Sequence, residues 1–182
     1  MLTHLRSALT LLGAFTLLLG LAYPLAMIGI AQLAFPAQAG GSLLMRDGQV
    51  VGSARIGQPF AAAGYLHPRP SAGGYDAANS GGSNLAPSNA ALVASVRDRV
   101  AALGTQPVPS DAVTASASGL DPDLSLRAAL LQVPRIAAAR NMTPEAVGAA
   151  LQRATRGPAF GFVGEPMVNV LQANLALDEA GR

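Results

Sequence analysis

The chain has 182 residues, twelve basic against ten acidic side chains for a formal net charge of +2, and a hydrophobic share of 51% of which little is aromatic. That length holds one ordinary domain and one further segment. The absence of cysteine excludes a disulfide framework and a thiolate nucleophile, and the absence of lysine excludes a Walker-type phosphate loop, whose Lys must reach the phosphates.

The N-terminal stretch comes first. From Ser7 to Met45 no residue is charged, and Ala8 to Phe35 is apolar apart from scattered small or polar residues. At 1.5 Å per residue this run makes a helix of about 42 Å, beyond the roughly 30 Å of bilayer hydrocarbon. Pro24 removes one backbone hydrogen bond and predicts a kink. Ala37-Gln38-Ala39 resembles a signal-peptide cleavage site, but the apolar run is nearly twice a signal h-region, so a retained anchor is expected. Arg6, His4 and the amino terminus precede the span, whereas Arg46 after it is followed at once by Asp47. The positive-inside rule places the N-terminus in the cytoplasm. The expected division is 1–7 cytoplasmic, 8–35 transmembrane and 36–182 periplasmic, single-pass in a bacterial inner membrane.

The fold class expected is α+β: one N-terminal transmembrane helix and a small mixed α/β extracytoplasmic domain. Residues 42–60 read as a hairpin, with Asp47-Gly48 supplying the positive-φ turn and Val50, Val51 and Ile56 the β-branched strand residues. Residues 59–89 are rich in Gly, Ser, Asn, Pro and Ala, and read as an ordered functional loop. Ala90 to Leu103 places Leu92, Val93, Val96, Val100 and Leu103 at helical spacing, with Arg97, Asp98 and Arg99 outward and Ser88 or Asn89 as N-cap. Val113 to Gly119 reads as an extended piece or exposed loop. Asp121 with Pro122 predicts a helix start running to about Arg140, kinked at Pro134, and Thr143-Pro144-Glu145 starts another reaching about Arg153. Val168 to Ala180 reads as a last amphipathic helix.

Candidate chemistry is sparse. His67, in Tyr65-Leu66-His67-Pro68-Arg69-Pro70, has no nucleophile-base pattern around it, and with Arg69 it is read as fixing a turn or touching a partner. Asp121 and Asp123 fail as a calcium loop, since Leu126 stands where Gly is needed and Gln132 where Glu is needed. No metal site is expected. Residues 136–155 have helix-turn-helix spacing, but a domain outside the cytoplasm meets no genome, so no nucleic-acid partner is expected. Ser80, Gly81, Gly82, Ser83 and Asn84 could cradle a phosphate through backbone N–H groups, although such loops more often simply turn the chain.

Four segments taken in order carry a resemblance: Tyr65 to Ala72, Asn79 to Asn89, Val113 to Ser116, and Gly119-Leu120-Asp121-Pro122. Gln132, Arg135 and Arg140 extend it, as do Gly164-Glu165-Pro166, Val168 to Leu171 and Asn174 to Asp178. Together they resemble the C subunit of the bacterial potassium-transporting Kdp ATPase. The resemblance implies a four-subunit pump: a channel-like potassium-binding subunit, a P-type ATPase subunit that hydrolyses ATP, a small single-span subunit, and this accessory chain. It implies no catalytic residue and no cofactor held by this chain, ATP and potassium being handled by the complex. Partner contacts are expected at His67, Arg69, Asn79, Asn84, Asn89 and Asp121. Family descriptions also call the subunit a catalytic chaperone that raises the ATP affinity of the ATPase subunit, which would give Ser80 to Asn84 a nucleotide. The chain departs from the pattern at Asp76 (Asn usual), Ala117 (Gly usual) and Asp123 (His usual).

Overall fold

The structure, a computed structural model, describes residues 2–104 and 107–181. Met1, at the head of the segment assigned to the cytoplasm, and residues 105, 106 and 182 of the segment assigned to the periplasm lie outside the described residues. The chain divides into two compact units, Met1–Leu43 and Leu44–Arg182.

The first unit is a long helix. Helix α1 (Leu2–Leu17) passes through a π-helical turn (Leu18–Ala22) into α2 (Tyr23–Ala34), and the short α3 (Pro36–Ala39) follows. His4–Ala34 is long and apolar enough to cross a membrane, and none of it is buried. The helix therefore begins before the expected Ala8 and ends one residue before Phe35. The π turn is what Pro24 produces: its ring displaces the preceding carbonyls and it offers no N–H, so the Tyr23 N–H reaches back five residues to Leu18 O. The Thr10 and Thr16 hydroxyls donate to Arg6 O and Leu12 O one turn back, so neither is a bare polar group on an apolar helix.

The expected hairpin is formed by β1 (Leu43–Arg46) and β2 (Gln49–Ser53), but it ends short of residue 60, and Ile56 lies in a bend after the strand rather than in it. Asp47 (φ +51°) and Gly48 (φ +76°) make its turn. Residues 54–89 contain no helix or strand. Helix α4 (Ala90–Leu103) spans the residues expected, capped by the Asn89 side chain accepting from Ala91 N–H. Arg97 and Asp98 are exposed. Arg99 is not turned outward: it is half-buried and donates to Val113 O at 2.8 Å.

Four further expectations are corrected. Residues 113–119 are only in part the expected extended piece or exposed loop: Val113 is the buried end of the short α5 (Ser110–Val113), Thr114 is extended, Ser116 is buried, and Ala117 and Ser118 are exposed. Asp121 caps no helix. Strand β3 (Asp123–Ser125) comes first, and the Ser125 hydroxyl caps α6 (Leu126–Leu131) by accepting from Ala128 N–H. The Asp121 carboxylate accepts instead from Asp123 N–H and from Arg69. The helix is interrupted rather than kinked, at Gln132, because Pro134 is tolerated only in a first turn, that of α7 (Val133–Arg140). Helix α8 (Pro144–Arg153) starts as expected, with Thr143 capping Ala146 N–H. Strand β4 (Thr155–Arg156) follows. The tail is not helical from Val168: β5 (Met167–Asn169) precedes α9 (Val170–Ala180), whose cap is Asn169.

The sheet order is β3-β5-β4, antiparallel, with Val168 opposite both Leu124 and Thr155. Its buried face meets α6 to α9 in a core of Leu124, Ile136, Val147, Leu151, Val168 and Leu177, to which the irregular segment contributes Leu66. Each fully buried aliphatic side chain contributes about 1.5–3 kcal/mol by area. The outcome is a helical half that is a solid support, with residues 54–89 laid across it.

Candidate functional site

A segment without helix or strand must satisfy its backbone polar groups some other way. Here the polar side chains of the helices do it. The Asn174 amide on α9 is 2% exposed; it accepts from Leu66 N–H at 2.7 Å and donates to Leu66 O at 3.1 Å. Gln132, between α6 and α7, repeats the pattern one residue on, accepting from His67 N–H at 2.9 Å and donating to His67 O at 3.0 Å. Two amides thus pair with the 66–67 backbone as a neighbouring strand would.

Arginines hold the residues just before. Arg135 donates to Ala63 O and Tyr65 O and to the Gln132 amide oxygen. Arg140 donates to Gly64 O, Leu177 O and the Asp178 carboxylate, and its guanidinium stacks 4.7 Å from the Tyr65 ring centroid. Asp178 is bridged on its other side by Arg46 of the hairpin. Burial raises its pKa, but hydrogen bonds from Arg140 and Arg46 outweigh that and leave the carboxyl below its ordinary value. Asn169 closes the ring, donating to Ala54 O and to Asp123.

The second half of the segment is zipped to residues 116–121. Arg69 pairs with Asp121 at 3.0 Å, the Tyr75 hydroxyl donates to Arg69 O, and the Ser71 hydroxyl donates to Gly119 O at 2.7 Å. Ser116 N–H donates to Pro70 O, and Gly81 N–H to Ser118 O. The backbones approach so closely that a Cβ on Gly119 (φ +67°) would lie 2.7 Å from Gly81 O, and one on Gly82 3.0 Å from Ala117 O. Glycine is required at Gly119 by contact and by conformation, and favoured at Gly82 by contact alone.

The residues singled out in the sequence thus fall into two sets. His67, Arg69 and Asp121 are half-buried and committed inside the unit. The His67 ring Nε2 lies 3.1 Å from Ala62 O. Burial lowers its pKa, outweighing the hydrogen bond to Ala62 O that raises it, and Arg135 adds a smaller push down, which favours the neutral ring. Asn89 is the α4 cap. Asn79 and Asn84 are exposed; Asn79 donates to Asp76, while Asn84 holds φ +53°. Of Ser80 to Asn84, the Ser80 hydroxyl and the Gly81 amide already donate to Ser118 O. Asp76, Ala117 and Asp123, where the chain departs from the family pattern, take structural places: Asp76 holds Asn79 and Ala78 N–H, Ala117 packs on Gly82, and Asp123 accepts from Arg156 and Asn169. Among the described residues no group of three or more His, Asp or Glu could hold a metal ion.

Known proteins resemble the chain over nearly its whole length. The model of the family described as KdpC, K+-transporting ATPase c chain, matches residues 5–179. The chain belongs to the KdpC family. Relatives named potassium-transporting ATPase KdpC subunit share about half its residues from end to end. That of Acidobacterium capsulatum is 54% identical, covering 97% of this chain and 98% of its own. That of Methylorubrum populi is 51% identical over all of both chains, and that of Caulobacter vibrioides is 53% identical over 98% and 94%. The KdpC match covers the apolar helix and the clamped segment alike. Asn169, Gln132 and Asn174 gain roles that periodicity does not signal, because polar residues on a core-facing helix look like faults until the strandless segment they serve is in place.

Proposed function

We propose that the chain is a non-catalytic accessory subunit of a K+-transporting ATPase. It is anchored by the His4–Ala34 helix with the N-terminus in the cytoplasm and the unit Leu44–Arg182 outside the inner membrane. It stabilises the assembly and supports the channel-like and ATP-hydrolysing chains, covering the potassium entrance of the former with its polar loops. The observation that carries the reading is the clamp. Gln132, Asn174, Arg135 and Arg140 spend their hydrogen bonds on holding residues 63–67 in one conformation. A rigid polar surface binds a partner at low ordering cost; it offers no activated nucleophile, since His67 faces a carbonyl.

The test is charge-neutral replacement of exposed residues farther along the same irregular segment. An Asn79→Ala, Ser83→Ala, Asn84→Ala chain should fold but co-purify several-fold less with the other subunits, or lower potassium-dependent ATP hydrolysis. Unchanged assembly and hydrolysis would sink the reading. A nucleotide at Ser80 to Asn84, the competing proposal, needs successive N–H groups turned to a ligand. The inward Gly81 N–H counts against it.

A further inference from the structure

Residues 157–166 join β4 to β5 and fold back on themselves. Ala159 and Val163 pair, Ala159 N–H donating to Val163 O at 2.8 Å and Val163 N–H to Ala159 O at 2.9 Å. At the apex Phe160 takes φ +53° and Gly161 φ +82°. A left-handed phenylalanine is held there only by its surroundings. The turn aims both aromatic rings outward: Phe160 is 91% exposed and Phe162 80%. Phe60, by contrast, packs on the core of the same unit. From Gly157 to Gly164 no side chain carries a charge or a hydrogen-bonding group. Two neighbouring rings on a preformed turn are an unfinished apolar contact.

We propose that this tip inserts into the boundary between headgroups and acyl chains of the bilayer that the chain's own apolar helix crosses. The inference rests on the membrane reading of His4–Ala34. Three observations favour lipid over a protein pocket. The first is reach. The nine residues 35–43 span at most about 30 Å. A unit of about 140 residues has a radius of gyration near 14 Å. A tether of that length keeps the unit within reach of the bilayer, so contact between the tip and lipid is an intramolecular event. The second is charge. The tip itself is uncharged, exposed Arg153 precedes it, Arg156 pairs with Asp123 and Glu165 follows, so the flanking charges balance and do not repel a headgroup layer. The third is size. Two Phe rings and a Val offer a few hundred Å², far below the roughly 1,200 Å² of a stable protein interface. They suffice as a second contact for a chain that is already anchored.

The sequence lacks tryptophan, so Phe162→Trp gives a single reporter at an exposed site. The full chain goes into phosphatidylcholine-phosphatidylglycerol vesicles with acyl chains brominated or not, with Ala78→Trp as the control. The expected result is blue-shifted indole emission from the Phe162→Trp chain, quenched several-fold by brominated lipid, with emission from the Ala78→Trp chain unaffected. Water-like, unquenched emission from Phe162→Trp protein that floats with the vesicles would overturn the inference alone. Failure to float would overturn the anchor reading and this inference with it. A photo-crosslinking phenylalanine at 162 in the assembled ATPase distinguishes the occupants: a lipid adduct supports the proposal, and a crosslink to another subunit overturns it in favour of a protein pocket.

Discussion

Asp178 lies between Arg46 and Arg140, with the Tyr65 hydroxyl within 3.3 Å, and joins the hairpin, α7, α9 and the irregular segment. A carboxyl held below its unfolded value binds fewer protons in the folded state. Its contribution is therefore full above the ordinary carboxyl range and is lost as pH falls below about 4. Asp178→Asn should cost about 1–3 kcal/mol at neutral pH and flatten the acid limb of stability against pH, both read from thermal unfolding of the purified chain between pH 7 and 3. Asn174 makes the sharper case, because its Leu66 partners are buried. Asn174→Ala leaves an N–H and a C=O without partners and should cost about 2–4 kcal/mol in urea unfolding. A loss no larger than that of an exposed Asn79→Ala would contradict the clamp. These roles were hidden in the sequence. Arg135 and Arg140 stood out as family residues, but that their targets are the carbonyls of residues 63–65 follows only from the fold.

Elements were legible where a cap and a turn agreed. Asp47-Gly48 marked the hairpin, Ser88 or Asn89 the start of α4, where Asn89 is the cap, and Thr143-Pro144 that of α8. The two misplaced helix starts share one cause. Strands β3 and β5 are three residues long and run straight into α6 and α9, too short for a period of two to show. In both, the strand's last residue is also the helix cap, Ser125 and Asn169. Asp121-Pro122 looked like a start because cap chemistry is local, but Asp111 orients Ser125 through hydrogen bonds at 2.7 and 3.1 Å and the later cap wins. Thr143→Ala should cost about 1 kcal/mol. Leu177→Ala, opening a void between α9 and the core, should cost about 2–5 kcal/mol; both are measurable by urea unfolding with unchanged slope. Pro24 belongs at this scale too. Its signature is the π turn rather than a break, and the apolar helix continues through it.

At the scale of the molecule, the chain is a KdpC family member with two units that do different work: a bare apolar helix of His4–Ala34 and a unit whose polar side chains immobilise one long irregular segment. The apolar run and the order of the segments were enough to expect both the membrane helix and the family. The candidate site was legible as a location but not as a construction. Residues 59–89 were recognisable as an ordered loop, yet two of its supports, Gln132 and Asn174, lie 65 and 108 residues beyond the groups they hold. The accessory reading depends on which side of the membrane that loop faces. Ser83 and Ser118 are both exposed on it and its neighbour, and the native chain has no cysteine to confuse a label. Single cysteines at these positions in the assembled ATPase, treated in intact cells with a membrane-impermeant maleimide, test it most directly. Labelling from outside is the result the account predicts; protection until the inner membrane is permeabilised would contradict it and return the loop to the nucleotide side.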